Sequence, residues 1–376
     1  MKRIVGMALL LGPVLVAAAE PWVRGEPGCR PKLFKQFGEV LNTPDGLALD
    51  AAGNVYLSAV NAADGSYPGH IWRMERATGK WSVFTPCKPH PETHAAYPMG
   101  LAFDPQGNLY YADAQYFANR DYRSRILRVL IRDGEPQRIE TVVEHVKLPN
   151  ALRWHDGALY FTESFFNVAD AYQSGVYRIP AADLRPDKPA RPLDKERAAA
   201  DPYCVGIVGT VLRDRGAERN QPGIRPTDTK LHIYTAGCDG MDFDRDGNLY
   251  TGSFGDGRFW VLRPLGNGRY GRPELLDGKT VTCCDGICYD AARHRILLTA
   301  AEQNAIYAWD IAQKKMALVW ANGDTDGADG LLDQPCEVLM LDAGRALVVN
   351  IDAPSPFMVN SGHDAVHTLS VITLGR

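Results

Sequence analysis

The sequence predicts an all-β chain folded as a six-bladed β-propeller, with four-stranded antiparallel blades around a central channel. Three observations carry that prediction: a hairpin motif recurs six times, its copies lie about fifty residues apart, and the stretches between copies have room for two further strands each.

The fullest copy is GCDGMDFDRDGNLY, Gly237–Tyr250. Met241 to Phe243 and Leu249 onward carry the apolar pattern of two strands, and Asp246-Gly247-Asn248 supplies the turn between them. The motif returns as PDGLALDAAGNVYLS from Pro44, PMGLAFDPQGNLYYA from Pro98, PNALRWHDGALYFT from Pro149, CDGICYDAARHRILLT from Cys284 and CEVLMLDAGRALVVN from Cys336. The residue just ahead of each first strand is Asp45, Met99, Asn150, Asp239, Asp285 or Glu337, with separations of 54, 51, 89, 46 and 52 residues. In a propeller the first strand of each blade lines the channel, so these six side chains are expected to form a ring at the axis. Four of them are acids and one is an amide. Such a ring repels itself at protein-like dielectric unless a cation sits among its members.

Taken in order, residues 1–19 read as a secretory targeting segment: Lys2 and Arg3, the apolar run Ile4–Val16, then the small residues Ala17 to Ala19. The mature chain is expected to begin at Glu20 and to be periplasmic or secreted. HIWRME and TGKWSVF (70–84), SRILRVLIRD (124–133) and AIYAWDIAQKKMALVWA (305–321) read as third and outer strands. The 89-residue gap holds SGVYRIPAADL (174–184), then Arg, Asp, Pro and Ala without a repeat signature, so an inserted loop is expected at about 185–230. KLFKQFGEVL (32–41) and HTLSVITL (367–374) are expected to pair and close the ring, leaving no free edge between first and last blades. A single propeller domain thus spans 20–376. Eight cysteines in an exported chain read first as disulfides; Cys238, Cys284 and Cys336, each just ahead of an axial residue, invite staples between neighbouring blades.

Net charge is −4, and no basic run interleaved with aromatics is present, which argues against nucleic acid. No further stretch is long and apolar enough for a membrane span. No GxSxG elbow, HExxH or P-loop is found. His363 and His367, in NSGHDAVH, have the spacing of a metal pair on a helix, but the segment runs into a strand, which predicts solvated loop histidines. Tyr116, Phe117, Phe165 and Phe166 follow second strands and are candidates for an aromatic rim.

At GCDGMDFDRDGNLY, with PNALRW ahead of it, the chain resembles the family of senescence marker protein (regucalcin), gluconolactonases and related lactonases, whose propeller relatives include diisopropyl fluorophosphatase. The resemblance implies a divalent metal, usually calcium, held at the axis by a glutamate, the asparagine of a PNG-type motif and the aspartate of a DGM-type motif. Asn150 and Asp239 match the last two, with Ala151 replacing the glycine. The glutamate role is carried to Glu337, which stands two blades past Asp239, as the glutamate does in the family. Met99 falls where the family has a further asparagine. By the same resemblance Asp239 is the catalytic base or nucleophile.

From the residues themselves, Asn150, Asp239, Asp285 and Glu337 form an all-oxygen, anionic ligand set that favours Ca2+, or Mg2+ in a tight site, over softer metals. Asp45 and Met99 complete the channel lining. A metal there would polarise a lactone or ester carbonyl of a small-molecule substrate, with one carboxylate as base. The expected protein is therefore a monomeric, metal-dependent hydrolase of the lactonase kind. The alternative is a non-catalytic binding propeller with a structural axial ion.

Overall fold

One aspartate builds the turn of the repeat. In the first copy Asp50 Oδ1 accepts the N–H groups of Ala52 and Asn54, each at 2.9 Å, while Oδ2 accepts Asn54 Nδ2 at 2.7 Å and the Tyr56 hydroxyl at 3.3 Å. Asp104 makes the same contacts with Gln106, Asn108 and Tyr110, and Asp244 with Asp246, Asn248 and Tyr250. The glycine of each turn is left-handed, with φ of 79° at Gly53 and 76° at Gly247, a conformation that a side chain resists. Asp-x-x-Gly-Asn-x-Tyr is therefore a hairpin turn that carries its own hydrogen bonds, which is why the repeat is visible in the sequence at all.

The computed structural model describes residues 21–118, 122–168, 171–192, 195–210, 236–353, 358–360 and 362–375. The targeting segment 1–19 lies outside them. Six four-stranded antiparallel blades follow one another around the ring. Blade one is Pro44–Leu49, Val55–Ala59, His70–Met74 and Trp81–Pro86; blade two is Pro98–Phe103, Leu109–Asp113, Ser124–Arg132 and Glu135–Val146. Blade three is Pro149–His155, Ala158–Val168, Ala171–Pro180 and Cys204–Thr210; blade four is Cys238–Phe243, Leu249–Ser253, Phe259–Leu262 and Glu274–Asp277. Blade five runs Ile287–Asp290, Arg295–Ala300, Ala305–Asp310 and Lys315–Asn322. Blade six takes Pro335–Asp342, Arg345–Asn350 and His367–Thr373 from the C-terminus and its outer strand, Lys32–Phe37, from the N-terminus. The ring closes as the sequence predicts, with Phe37 opposite His367 and Lys32 opposite Val371.

Two features depart from the sequence reading. Val23–Gly25 adds a fifth strand to blade five, Val23 lying opposite Asn322. The outer strand of blade three falls inside the stretch 185–230 read as an inserted loop: it is CVGIVGT, Cys204–Thr210, where Gly206 and Gly209 blur the β pattern. Ahead of it, Ala190 exchanges backbone hydrogen bonds with Val142 and Glu144, so this segment lies against the outer strand of blade two.

The core is divided among the faces where neighbouring blades meet. Leu47, Leu57, Cys336, Leu347 and Val349 fill the closure between blades six and one, and Tyr250, Phe259, Cys284, Ile296 and Leu298 fill that between four and five. This division corrects the disulfide expectation. Among the described residues no disulfide forms, because Cys238, Cys284 and Cys336 each belong to a different interface and pack there as small apolar groups. Burial pushes the Cys284 and Cys336 thiols well above their usual range.

Candidate functional site

Five of the six axial residues are aimed by an irregularity in their hairpins, while Asp285 lies just ahead of a strand pair, Ile287–Asp290 with Arg295–Ala300, whose register is unbroken. The register of the first strand pair shifts between Pro44 and Leu47, Pro98 and Leu101, Pro149 and Leu152, Cys238 and Met241, and Pro335 and Glu337. Bulges of this kind re-aim a side chain out of the strand alternation. Hydroxyls of the second strands fix them: Ser58 Oγ accepts Gly46 N–H at 2.7 Å, and Thr162 Oγ1 accepts Ala151 N–H at 2.9 Å while donating to Asp239 O at 2.7 Å. Thr162 thus ties the axial position of blade three to that of blade four. The glycine after the axial residue admits the next blade. A Cβ on Gly286 would stand 2.5 Å from Glu337 Cα and 2.6 Å from Cys336 O, and the Gly286 N–H instead donates to that oxygen at 2.7 Å.

The six axial residues are all buried, none more than 9% exposed. Asp45, Met99, Asn150, Asp239 and Asp285 line one cavity of about 170 Å3. A cavity of that size suits a small ligand rather than a polymer. The rest of the wall is largely apolar: Val60, Phe117, Phe254, Ile351 and Met358. Of the four aromatics proposed as a rim, Phe117 reaches this wall, while Tyr116 and Phe165 stack on each other with centroids 5.0 Å apart.

Glu337 is placed apart from the other axial acids. It is not among the cavity-lining residues; its Oε1 accepts the Val338 N–H at 2.9 Å, and its Oε2 lies 3.9 Å from Arg153 Nη2. Arg153 was not foreseen from the sequence. It hydrogen-bonds Ile287 O at 2.8 Å and stands 3.5 Å from Asp242, so it is the cation on Glu337's side of the ring. The signal for it was the arginine of PNALRW, hidden because the strand alternation alone does not say which blade it will face. Asp113 and Glu163, at the ends of second strands, do not line the cavity: Asp113 pairs with Arg125 at 2.8 Å, and Glu163 accepts the N–H groups of Lys147 and Leu148, each at 2.7 Å.

The electrostatics follow from this crowding. Burial, then the charge of Glu337, pushes Asp45 up to about 7; burial, opposed by Arg153, brings Glu337 to about 7 as well. Asp239 and Asp285 are raised well above the carboxylate range by burial and by the other axial acids. Two buried carboxyls set against each other repel when both are charged, a repulsion that a counter-ion would relieve. The donor set, three acids and an amide facing one small cavity with one arginine below them, fits a hard divalent cation. The axial acids are spread: no three bring ligand atoms within 4.8 Å of one another, an arrangement that among the described residues occurs only at Glu39–His363–His367 and Asp333–Asp352–Asp364.

The fold and this site define a six-bladed propeller with an acid-lined axial cavity, and comparison with known proteins places that fold among solved structures. The chain is similar to a gluconolactonase from Xanthomonas campestris, at 14% identity over 96% of this chain and 99% of the other, with a TM-score of 0.52. It is also similar to a calcium-binding protein, regucalcin, from Agrobacterium tumefaciens, at 14% identity over 92% and 93% of the two chains and the same TM-score of 0.52. A PQQ-bound aldose sugar dehydrogenase from Streptomyces coelicolor matches at 14% identity, over 93% of this chain and all of that one, with a TM-score of 0.53. No family model matches the chain, and no curated protein matches it by sequence. The chain therefore shares the fold of the gluconolactonase- and regucalcin-like propellers, and a dehydrogenase on the same fold shows that the fold alone leaves the reaction open.

Proposed function

We propose that this protein is a divalent-metal-dependent hydrolase of small cyclic esters, working in the axial cavity. The observation that carries the reading is the convergence of Asp45, Asn150, Asp239 and Asp285 on one small cavity, where burial and mutual repulsion disfavour the charged carboxylates. Asn150, Asp239 and Asp285 would hold the ion, with Asp45 beside them and Glu337 adding negative charge from outside the cavity wall. A calcium ion bound there would polarise the lactone carbonyl. The spread of the acids leaves part of the ion's shell to water or substrate, as a catalytic site requires.

The residues then divide the work. The apolar wall of Val60, Met99, Phe117 and Phe254 holds the ring of the substrate and keeps bulk water away from the acids. Asp239 takes a proton from the attacking water and returns it to the ring oxygen as the acyl C–O bond breaks, and Asp285 and Asn150 hold Asp239 and the carbonyl in position. The leader at 1–19 supports export to the periplasm or beyond, and no helix among the described residues is long and apolar enough to cross a membrane. Intact mass of the exported protein tests the leader: the chain should begin at Glu20.

The deciding experiment is calorimetric calcium titration of the purified protein followed by a lactone panel with and without chelator. The reading expects one axial calcium and chelator-sensitive turnover. Calcium binding without turnover of any lactone would leave a ligand-binding propeller, and no calcium binding would sink the reading.

A further inference from the structure

The ring closes only through hydrogen bonds between strands from opposite ends of the chain, and a second cluster of ligating side chains sits on that seam. Glu39 follows the N-terminal outer strand Lys32–Phe37, and His367 opens the C-terminal strand paired with it. Glu39, His363 and His367 each bring a ligand atom within 4.8 Å of the other two. His367 is not the solvated loop histidine that the sequence suggests. It is fully buried, its Nδ1 stands 3.0 Å from Asp352 Oδ2, and its Nε2, 3.7 Å from Glu39 Oε2, makes no hydrogen bond. A buried imidazole nitrogen left unmet is costly unless something binds it.

Asp352 organises both rings. Held at a positive φ of 47°, it offers its backbone oxygen to His363 Nδ1 at 2.5 Å, and its Oδ2 stands 3.0 Å from His367 Nδ1. The carboxylate is itself fixed by the Asp364 N–H, 3.0 Å and 3.1 Å from its two oxygens. With Nδ1 of each imidazole turned to Asp352, Nε2 is the nitrogen left with a lone pair. This is the outer-shell arrangement that orients metal-bound histidines. The rings lie 5.4 Å apart between centroids, tilted by 31°, close enough to converge on one ion.

We propose that Glu39, His363 and His367 bind a borderline divalent transition metal of the zinc class that staples the first strand of the chain to the last. Two imidazoles and a carboxylate suit zinc and its neighbours rather than calcium. The 3.7 Å separation of His367 Nε2 and Glu39 Oε2 is near the edge of about 3.3 Å that a tetrahedral zinc shell requires. Three protein ligands leave a fourth position to solvent, on the side where Glu39 is exposed. The ion would also stiffen the axial cavity, because Ile351 and Ala353 of its wall flank Asp352 directly.

The site is independent of the lactonase reading and is tested separately. The full chain, stripped by chelator and supplied with excess calcium to saturate the axial acids, is titrated with zinc chloride against a chromophoric chelator, and its unfolding temperature is read with and without zinc. The wild type should bind one zinc per chain and melt higher with it. Glu39→Gln should weaken binding by about tenfold or more and His363→Ala by about 100-fold, both changes lying outside the core. A Co2+ replacement should give the visible absorption of a tetrahedral site in the wild type and lose it in His363→Ala. A wild type that binds no zinc, or a His363→Ala variant that binds it as tightly, overturns the proposal. So does zinc lost on Asp239→Asn instead, since the ion would then belong to the axial acids.

Discussion

Asp239 and Asp244 stand five residues apart on one hairpin, both buried, and have opposite fates. Asp244 is saturated by donors from its own turn, with four contacts between 2.8 Å and 3.1 Å. Asp239 is given no such donor by its own turn; the groups facing it are acids, Asp45, Glu337 and Asp285 of the next blade. The pairs Asp45 with Asp50 and Asp285 with Asp290 repeat the contrast, although Asp290 is met chiefly by the guanidinium groups of Arg293 and Arg295, with one backbone donor, the Arg293 N–H, at 3.3 Å. A carboxylate solvated by its own hairpin is a structural part. One delivered to the axis without donors is held in place by the other blades at an electrostatic cost, and strain kept at such a place is a mark of function.

The largest expected effect breaks the axial member of the pair. Asp239→Asn should lower turnover of any lactone the wild type hydrolyses by roughly 10³-fold, about 4 kcal/mol, and weaken calcium binding, as initial rates and calorimetry will show. Retained turnover would remove Asp239 from the chemistry. Asp244→Ala should do the reverse: it strands the Asn248 and Tyr250 donors and should cost about 3 to 4 kcal/mol in urea unfolding while leaving calcium affinity unchanged. If calcium binding fell as far as in Asp239→Asn, the turn acid would not be merely local.

Glu163 lies between these cases, since it accepts the N–H groups of Lys147 and Leu148 yet burial still pushes it up to about 7 from 4.5. A raised acid holds its proton more tightly when folded, so its contribution is full below about 4.5 and is lost as the pH climbs through 7. Relative to Glu163→Gln, the wild type should therefore lose about 3 kcal/mol of unfolding free energy between pH 4 and 8. Parallel profiles for the two proteins would mean that the backbone donors already compensate burial. The smallest effect is expected from Asp285→Asn in chelator. Removing one of the repelling acids should stabilise the metal-free protein by about 1 kcal/mol, and added calcium should reverse the order of the two midpoints.

What could be read in advance was whatever a hairpin settles within itself. Asp-x-x-Gly-Asn-x-Tyr closes its own hydrogen bonds, so the blade count, the period and the six axial positions were legible, as was closure by the two terminal strands. Where the local signal was weak the reading failed: CVGIVGT, with two glycines in seven residues, passed for loop, and Val23–Gly25 is a strand only because blade five offers it an edge. Cysteine spacing suggested staples, yet Cys238, Cys284 and Cys336 are each spent in a different interface between blades.

The sequence by itself determined that six side chains, mostly acids, would reach one axis, because position in the repeat is a local property. Only the tertiary structure decided which of them share a cavity, that Glu337 turns to Arg153 and away from it, and that His367 is buried beside Glu39 instead of exposed. The physical reason is that charge interactions and burial depend on distances between segments far apart in the chain, and those distances exist only once the ring has closed.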